Sequence, residues 1–224
     1  LTGDLARLEL ALINFAVEKL CEKGYSLTTP PFLMNKEAYE GVVDLSDFED
    51  VMYKIDEHIG FTTSGLVADA RQLVDRARVT CQINKITYAD PIPVTTLVKK
   101  MCDHMQSFTH YGGARPFGTA LLIAGVDPDG IHLYETDPSG AYQSYQAGAI
   151  GRGRSTVVEI FESSWKPNLT LNAAIKLGLE ALRESLEEEL NTDAVEIAVV
   201  DSEGYHKMSK DNTLKHIGKL KPLE

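Results

Sequence analysis

The chain has 224 residues, of which 33 are acidic and 22 basic, so its net charge is −11 at neutral pH. This acidity argues against nonspecific nucleic-acid binding, which needs a basic surface. Hydrophobic residues make up 43% of the sequence, yet no apolar run approaches the roughly 18 residues that a membrane span requires. Length and composition therefore predict a soluble globular protein of one large or two small domains, without nucleic-acid or membrane partners.

The first predicted element is a helix over residues 4–22. Its apolar residues cover two adjoining faces, which is typical of a helix that is buried on several sides or lies in an interface. Gly24 is placed to end the helix. A strand over 25–29 should stop at Pro30 and Pro31, and a short helix over 35–40 precedes an acidic loop.

A second part begins with strands over 51–55 and 59–63, followed by a long helix over 65–88. One face of this helix is apolar at helical spacing, including Leu66 and Val67. Ser64 is predicted to cap its N-terminus through the side-chain hydroxyl. Asp69 brings a negative charge to the positive end of the helix dipole.

The remaining elements alternate between strands and helices. A helix over 94–108 is followed by strands over 117–126, 131–136 and 141–150, with Asp-Pro turns at 127–130 and 137–140. Helices over 154–162 and 171–190, a hairpin of strands over 195–200 and 205–208, and a weak final helix complete the chain. This order is what a four-layer sandwich requires, with two sheets face to face and helices on both outer sides.

Three strings carry a resemblance to a known family: SGLVADAR (64–71), YGGARPFG (111–118) and DPSG (137–140). They resemble α-type subunits of the archaeal proteasome, from Tyr53 to about Glu203. The resemblance implies an α+β chain with the αββα sandwich of N-terminal-nucleophile hydrolases. It also implies a noncatalytic subunit whose homo-oligomeric ring, together with β-type subunits and a regulatory ATPase, gates substrate entry for protein degradation. The family's first two strands have no counterpart before Tyr53.

Residues 1–52 resemble a different family, namely the motif 1 region of class II aminoacyl-tRNA synthetases, the seryl enzyme in particular. In that family this helix and strand build a dimer interface and do no chemistry alone. Neither of the synthetase's two nucleotide-binding motifs follows. The chain is therefore interpreted as a hybrid of a synthetase-like segment, 1–52, and a proteasome-like sandwich, 53–224, joined near residues 52–57.

Three hypotheses about function remain open. The first is the noncatalytic proteasome subunit, the second a synthetase-like dimerisation element without aminoacylation, and the third a designed or artefactual hybrid without an evolved function. A sandwich that lacks two strands exposes a sheet edge. We expect Leu10, Ile13 and Val17 to cover that gap or to bury against another copy.

Several residues could carry chemistry, but each has a plainer explanation. Thr2 precedes a helix and no strand, so no catalytic residue is predicted. Cys102 and His104 point to different faces of one helix, which disfavours a metal site with His110. The three cysteines are odd in number and lack CxxC spacing, which favours reduced thiols in the cytoplasm. No cofactor is predicted.

Four short strings are interpreted as chance or as local structure: His58-Ile59-Gly60, Gly151-Arg152-Gly153-Arg154, Ser163 with Lys166, and Lys207-Met208-Ser209-Lys210. The first and last resemble parts of the ATP-binding motifs of class I synthetases, but each lacks its final residue. One binding site follows from the proteasome resemblance. The family's pocket for the C-terminal tail of an activator maps onto Leu66 and Val67, although both could equally be core residues.

Overall fold

A computed structural model describes residues 2–27, 51–186, 190 and 195–220 of the chain. The chain divides into two compact units, Leu1–Asp47 and Phe48–Glu224. This division lies close to the predicted boundary between residues 52 and 53. The predicted helix over 35–40 and the end of the predicted strand over 25–29 lie outside the described residues, and Tyr25 to Leu27 form no regular element.

Helix α1 (Asp4–Glu22) has the predicted bounds, but none of its residues is buried. Leu10 is 63% exposed and Ile13 is 52% exposed. The expectation that these residues, with Val17, cover the sheet edge of the sandwich stays a prediction. Burial against another copy stays a prediction.

The larger unit contains seven strands and five helices among its described residues. In chain order they are β1 (Met52–Asp56), β2 (Ile59–Gly65), α2 (Val67–Tyr88), α3 (Val94–His110), β3 (Thr119–Asp127), β4 (Gly130–Thr136), β5 (Tyr142–Ser144), α4 (Arg154–Ser164), α5 (Leu171–Leu186), β6 (Ala198–Asp201), β7 (Gly204–Lys207) and α6 (Lys210–Ile217). Element types follow the prediction throughout.

One predicted strand is much shorter than expected. The strand over 141–150 is confined to Tyr142–Ser144, which pairs with the end of β4. After Tyr145 donates its backbone N–H to Leu133 O at 2.8 Å, the chain leaves β4 and continues through bends to α4. Without a partner for its backbone groups, the segment after residue 145 does not continue as a strand.

The main sheet has the antiparallel order β1-β2-β3-β4-β5, and α2 and α3 cover one of its faces. Alternate strand residues such as Ile59, Phe61, Leu121 and Ile123 point toward the helices and are at most 2% exposed. This is the period of two expected for a strand with one face on a core. The helices contribute their own buried stripe, which in α3 includes Leu97, Val98, Met101 and Met105.

The opposite face of the main sheet carries the hairpin β6–β7. Gly60 in β2 permits this contact, because a Cβ there would lie 2.7 Å from the ring of Tyr205. Tyr205 also donates its backbone N–H to Glu57 O at 2.7 Å, which fixes the hairpin against the β1–β2 turn. The two sheets therefore face each other, as the sandwich prediction requires.

The two faces of the main sheet differ in burial. In β3, Leu121 and Ile123 on the helix side are fully buried, whereas Leu122 and Ala124 on the hairpin side are only half-buried. Two strands are too few to cover a five-stranded sheet. A second core forms where α5 meets α6 and the residues before β6; its buried members are Leu179, Leu190 and Val195.

None of the described helices combines the length and the apolar character needed to cross a lipid bilayer.

Candidate functional site at the start of helix α2

The turn from β2 into α2 is built on close approach between two backbone segments. Gly65 has φ +127°, and a Cβ there would lie 2.2 Å from Gly118 O. Leu66 donates its backbone N–H to the same carbonyl at 2.9 Å. A residue with a side chain would be strained at Gly65 in both conformation and space. The backbone of Gly118, the last residue of YGGARPFG, thus explains why SGLVADAR has a glycine at position 65.

Asp69 holds the same two motifs together electrostatically. Its Oδ2 accepts hydrogen bonds from Arg115 Nη1 at 2.7 Å and from Gly118 N at 2.7 Å, and its Oδ1 accepts one from Arg115 Nη2 at 2.8 Å. The hydrogen bond from Arg115 is the largest cause that lowers the pKa of Asp69, and it outweighs the burial that would raise this pKa. Such two-point charged pairs have defined geometry.

The cap predicted for α2 is wrong. Ser64 lies within β2, opposite Ala120, and the residue preceding the helix is Leu66, which makes no side-chain cap. The strand extends two residues beyond its predicted end because β3 supplies partners as far as Gly65. Asp69 remains in the first turn as predicted, where a carboxylate is favourable next to free backbone N–H groups.

The predicted tail-pocket residues lie at the surface of this turn. Leu66 is 52% exposed and rests on Gly118, where an added Cβ would lie 2.6 Å from its Cδ1. Val67 is half-buried. Leu66 is therefore an exposed apolar side chain held on a rigid turn, and not a core residue. Sequence reasoning missed Gly118 as the support of Leu66 and Arg115 as the partner of Asp69, although both lie in a string already singled out.

The Gly-Arg string at 151–154 forms a structural turn. Arg154 Nε donates to Glu135 Oε1 at 3.0 Å and Arg154 Nη2 donates to Glu135 Oε2 at 3.2 Å, which ties α4 to β4. Gly153 lies so close to α5 that a Cβ would be 2.7 Å from Ser185 Cβ. Because a carboxylate engages the Arg154 guanidinium, this arginine serves to hold α4 against β4.

The predicted metal candidates do not converge. Cys102 is buried, His110 is exposed, and His104 packs its ring against Phe108 and Phe117. Burial raises the pKa of the Cys102 thiol to about 12. Over the residues that the structure describes, no group of three or more His, Cys, Asp or Glu side chains could hold a metal ion.

The remaining candidate residues are either exposed or make local structural contacts. Thr2 is exposed before α1. His58 Nε2 donates to Ile92 O at 2.8 Å, next to the start of β2. Ser163 donates its hydroxyl to Ile160 O of its own helix at 2.9 Å. Lys207 lies at the end of β7 and pairs with Glu196 at 2.6 Å.

Most of this chain is similar in sequence to known proteins. The family model for proteasome subunits matches residues 45–200. The proteasome subunit alpha of Methanosarcina acetivorans is 50% identical over 171 residues, which are 76% of this chain and 69% of that protein. The corresponding proteins of Methanobrevibacter smithii and Methanoculleus marisnigri are 48% and 45% identical over 202 and 204 residues. These cover 89% and 90% of this chain, and 78% and 82% of the two proteins.

The last two alignments are longer than residues 53–224 and therefore include part of residues 1–52. These matches give no support to the synthetase-like segment or to the hybrid interpretation.

Proposed function

The chain belongs to the proteasome α-subunit family, and on this basis we propose that copies of it form a ring that gates substrate entry into a proteolytic chamber. Its sequence identity with archaeal α subunits over most of its length carries this proposal. The chain is a noncatalytic structural subunit, since α-type subunits lack the nucleophile of the threonine protease to which they belong.

The exposed side of helix α2 supports a role in assembly. Val79, Ile83 and Ile86 are 52%, 57% and 85% exposed and follow one another at helical spacing. We call these three residues the outer stripe. They point away from the sheet that the buried residues of the same helix cover, so the stripe is not part of the core. Contiguous apolar residues on a surface mark contact sites between proteins.

The partners we propose are further copies of this chain, β-type proteasome subunits and a regulatory ATPase, in the cytoplasm. A head-to-tail contact between copies closes into a ring when the rotation per copy permits it. The mechanism is geometric, because helices pack between neighbouring subunits and loops narrow the opening. No covalent step by this chain is required.

We further propose that Leu66 and Val67 form part of a pocket for the C-terminal tail of an activator. Leu66 is suited to this because its exposed side chain is held by the turn around Gly65 and Gly118. A synthetic peptide with the tail sequence of an archaeal proteasome-activating ATPase tests the pocket. Leu66→Ser should weaken its binding to the assembled ring, whereas Leu214→Ser, an equally exposed leucine on α6, should not.

A second candidate is a dimerisation element in residues 1–52. It is favoured by α1, in which apolar side chains are exposed on adjoining faces. Under this proposal residues 1–52 form a synthetase-like segment separate from the sandwich 53–224. The division of the chain between Asp47 and Phe48 supports such a boundary.

Native mass spectrometry of the full chain separates these proposals. A ring of about seven copies supports the proteasome subunit, and a dimer supports the second candidate. A monomer or an aggregate supports a hybrid without an evolved function. ATP–pyrophosphate exchange with serine is a further check, and any activity there would overturn the assignment of residues 1–52 as a segment without chemistry.

A further inference from the structure

Helix α1 carries an apolar stripe with the spacing of a contact between two helices. Its residues follow one another at intervals of three, four and three, which are the a and d positions of a heptad and lie on one side of a helix. Its three largest side chains are at least 50% exposed, and none of its residues is buried. We call these four residues the α1 seam: Leu10, Ile13, Val17 and Leu20.

The α1 seam matches a second copy of itself that runs in the opposite direction. In an antiparallel coiled coil each a position packs against a d position of the other helix. When two copies of α1 are aligned at the level of Phe15, Leu10 meets the partner's Leu20, and Ile13 meets the partner's Val17. Because the pair is symmetric, every residue of the seam is covered by an apolar side chain of comparable size.

The residues that flank the α1 seam favour the same alignment. Glu9 then lies opposite the partner's Lys23, and symmetry forms this pair twice. Both side chains are exposed, and neither forms an ion pair within the part of the chain that the structure describes. Exposed Asn14 faces the partner's Asn14, and two side-chain amides can exchange hydrogen bonds. Apolar and polar contacts therefore specify one register.

Other arrangements of α1 lack this match. In a parallel pair along the α1 seam, Glu9 would face the partner's Asn14, so no ion pair would form. The adjoining apolar face of α1 includes Leu8 and Leu12. Antiparallel pairing on that face would set Glu9 against the partner's Glu9, and like charges in contact disfavour association. The charges therefore select both the face and the direction.

We propose that α1 joins two copies of this chain as an antiparallel pair along the α1 seam. The contact is isologous, because the same residues of both copies form it. It is independent of the head-to-tail contact that would close a ring. The inference rests on the second candidate above, a dimerisation element in residues 1–52, and names the residues, the direction and the charge pair of that element.

A disulfide at position 14 reports this pair in any assembly of the full chain. Cys21 is exposed and is first replaced by serine, whereas the other two cysteines are buried. In this Cys21→Ser background, Asn14→Cys places a thiol opposite its own copy. After oxidation with diamide, a non-reducing gel should show a crosslinked dimer. Ala11→Cys is the matched control, because residue 11 would face its own copy only if the adjoining apolar face paired. Crosslinking at position 11 and not at position 14 overturns the proposal.

Charge reversal tests the register in the same Asn14→Cys background. Glu9→Lys and Lys23→Glu each set like charges against each other, so each should lower the crosslinked fraction at least about fivefold. The double variant restores both ion pairs with reversed signs and should crosslink like the parent. None of the substituted residues is buried, so all variants should keep the parent's melting temperature. A double variant no better than the single ones overturns the register.

The inference and the candidate it rests on fail in different ways. Ile13→Glu places a charge in the α1 seam, and native mass spectrometry of the full chain shows whether copies still associate through α1. If Ile13→Glu separates a dimer but position 14 does not crosslink, the dimerisation element stands and the antiparallel pair is overturned. If Ile13→Glu leaves every association unchanged, both the antiparallel pair and the dimerisation element fail.

Discussion

Asp69 and Arg115 face each other in a two-point ion pair, at 2.7 and 2.8 Å, across a sequence separation of 46 residues. The pair joins the first turn of α2 to the segment that leads into β3. Asp69 is buried while the side chain of Arg115 is 63% exposed. The carboxylate is therefore the structural centre of the contact, and the guanidinium covers it from the solvent side.

We expect Asp69→Ala to be more destabilising than Arg115→Ala. Removing the carboxylate leaves the backbone N–H of Gly118 without its acceptor and costs about 2 kcal/mol of unfolding free energy. Removing Arg115 breaks an exposed ion pair but leaves the bond from Gly118 to Asp69 in place. Urea denaturation of both variants measures the difference. Equal losses would contradict the assignment of Asp69 as the centre.

Gly65→Ala should lower the free energy of unfolding by about 2–4 kcal/mol, because both the positive φ and the contact with Gly118 O oppose a Cβ. Gly112→Ala is the matched control, since Gly112 has no atom within 4 Å of an added Cβ and no positive φ. We expect that control to stay within about 0.5 kcal/mol of wild type. Thermal unfolding of the two variants gives the comparison, and similar values would refute the close-packed turn.

Asp127 should make the free energy of unfolding decrease at acidic pH. Burial alone would raise the pKa of Asp127, but donors at Val94 N, His132 Nε2 and Asp129 N hold it below its usual value. A carboxyl group whose folded pKa is lowered stabilises the fold above its unfolded pKa. That stability is lost as the pH falls through the folded pKa. We therefore expect the unfolding free energy of wild type to fall below about pH 5.

Asp127→Asn should cost about 1–2 kcal/mol at pH 7 and should flatten the acid-side slope. Asp129→Asn is the control, because Asp129 is exposed in the same turn. Urea denaturation at a series of values between about pH 3 and pH 7 checks both variants. An unchanged slope in Asp127→Asn would assign the acid sensitivity to other carboxylates.

Chemical labelling of the cysteines should distinguish the exposed thiol of Cys21 from the two buried thiols. Cys21 is exposed on α1, whereas Cys81 and Cys102 are buried. Burial raises the pKa of both buried thiols to about 12, so their thiolate fraction at neutral pH is very small. Iodoacetamide should therefore modify Cys21 alone in the native chain and all three cysteines in urea. Rapid native labelling of Cys102 would show that the α2–α3 core opens.

Local rules were sufficient for much of the fold. The bounds of α1, the alternation of β3 and the two Asp-Pro turns follow from periodicity and turn chemistry, because these depend on neighbours in the chain. The strings SGLVADAR and YGGARPFG were enough to indicate the family. Ser64 shows where local rules fail. It is a good capping residue, but it lies in β2 because β3, a strand distant in sequence, supplies its backbone partners.

What the sequence alone determined was the order of helices and strands from β1 to α6 and which family the chain belongs to. The tertiary structure decided which residues meet: Asp69 with Arg115, and Gly65 with Gly118. The reason is that hydrogen bonds and ion pairs act over a few ångströms in space, whereas their partners here lie tens of residues apart along the chain. Only the packing of α2 and α3 on the sheet brings those partners together.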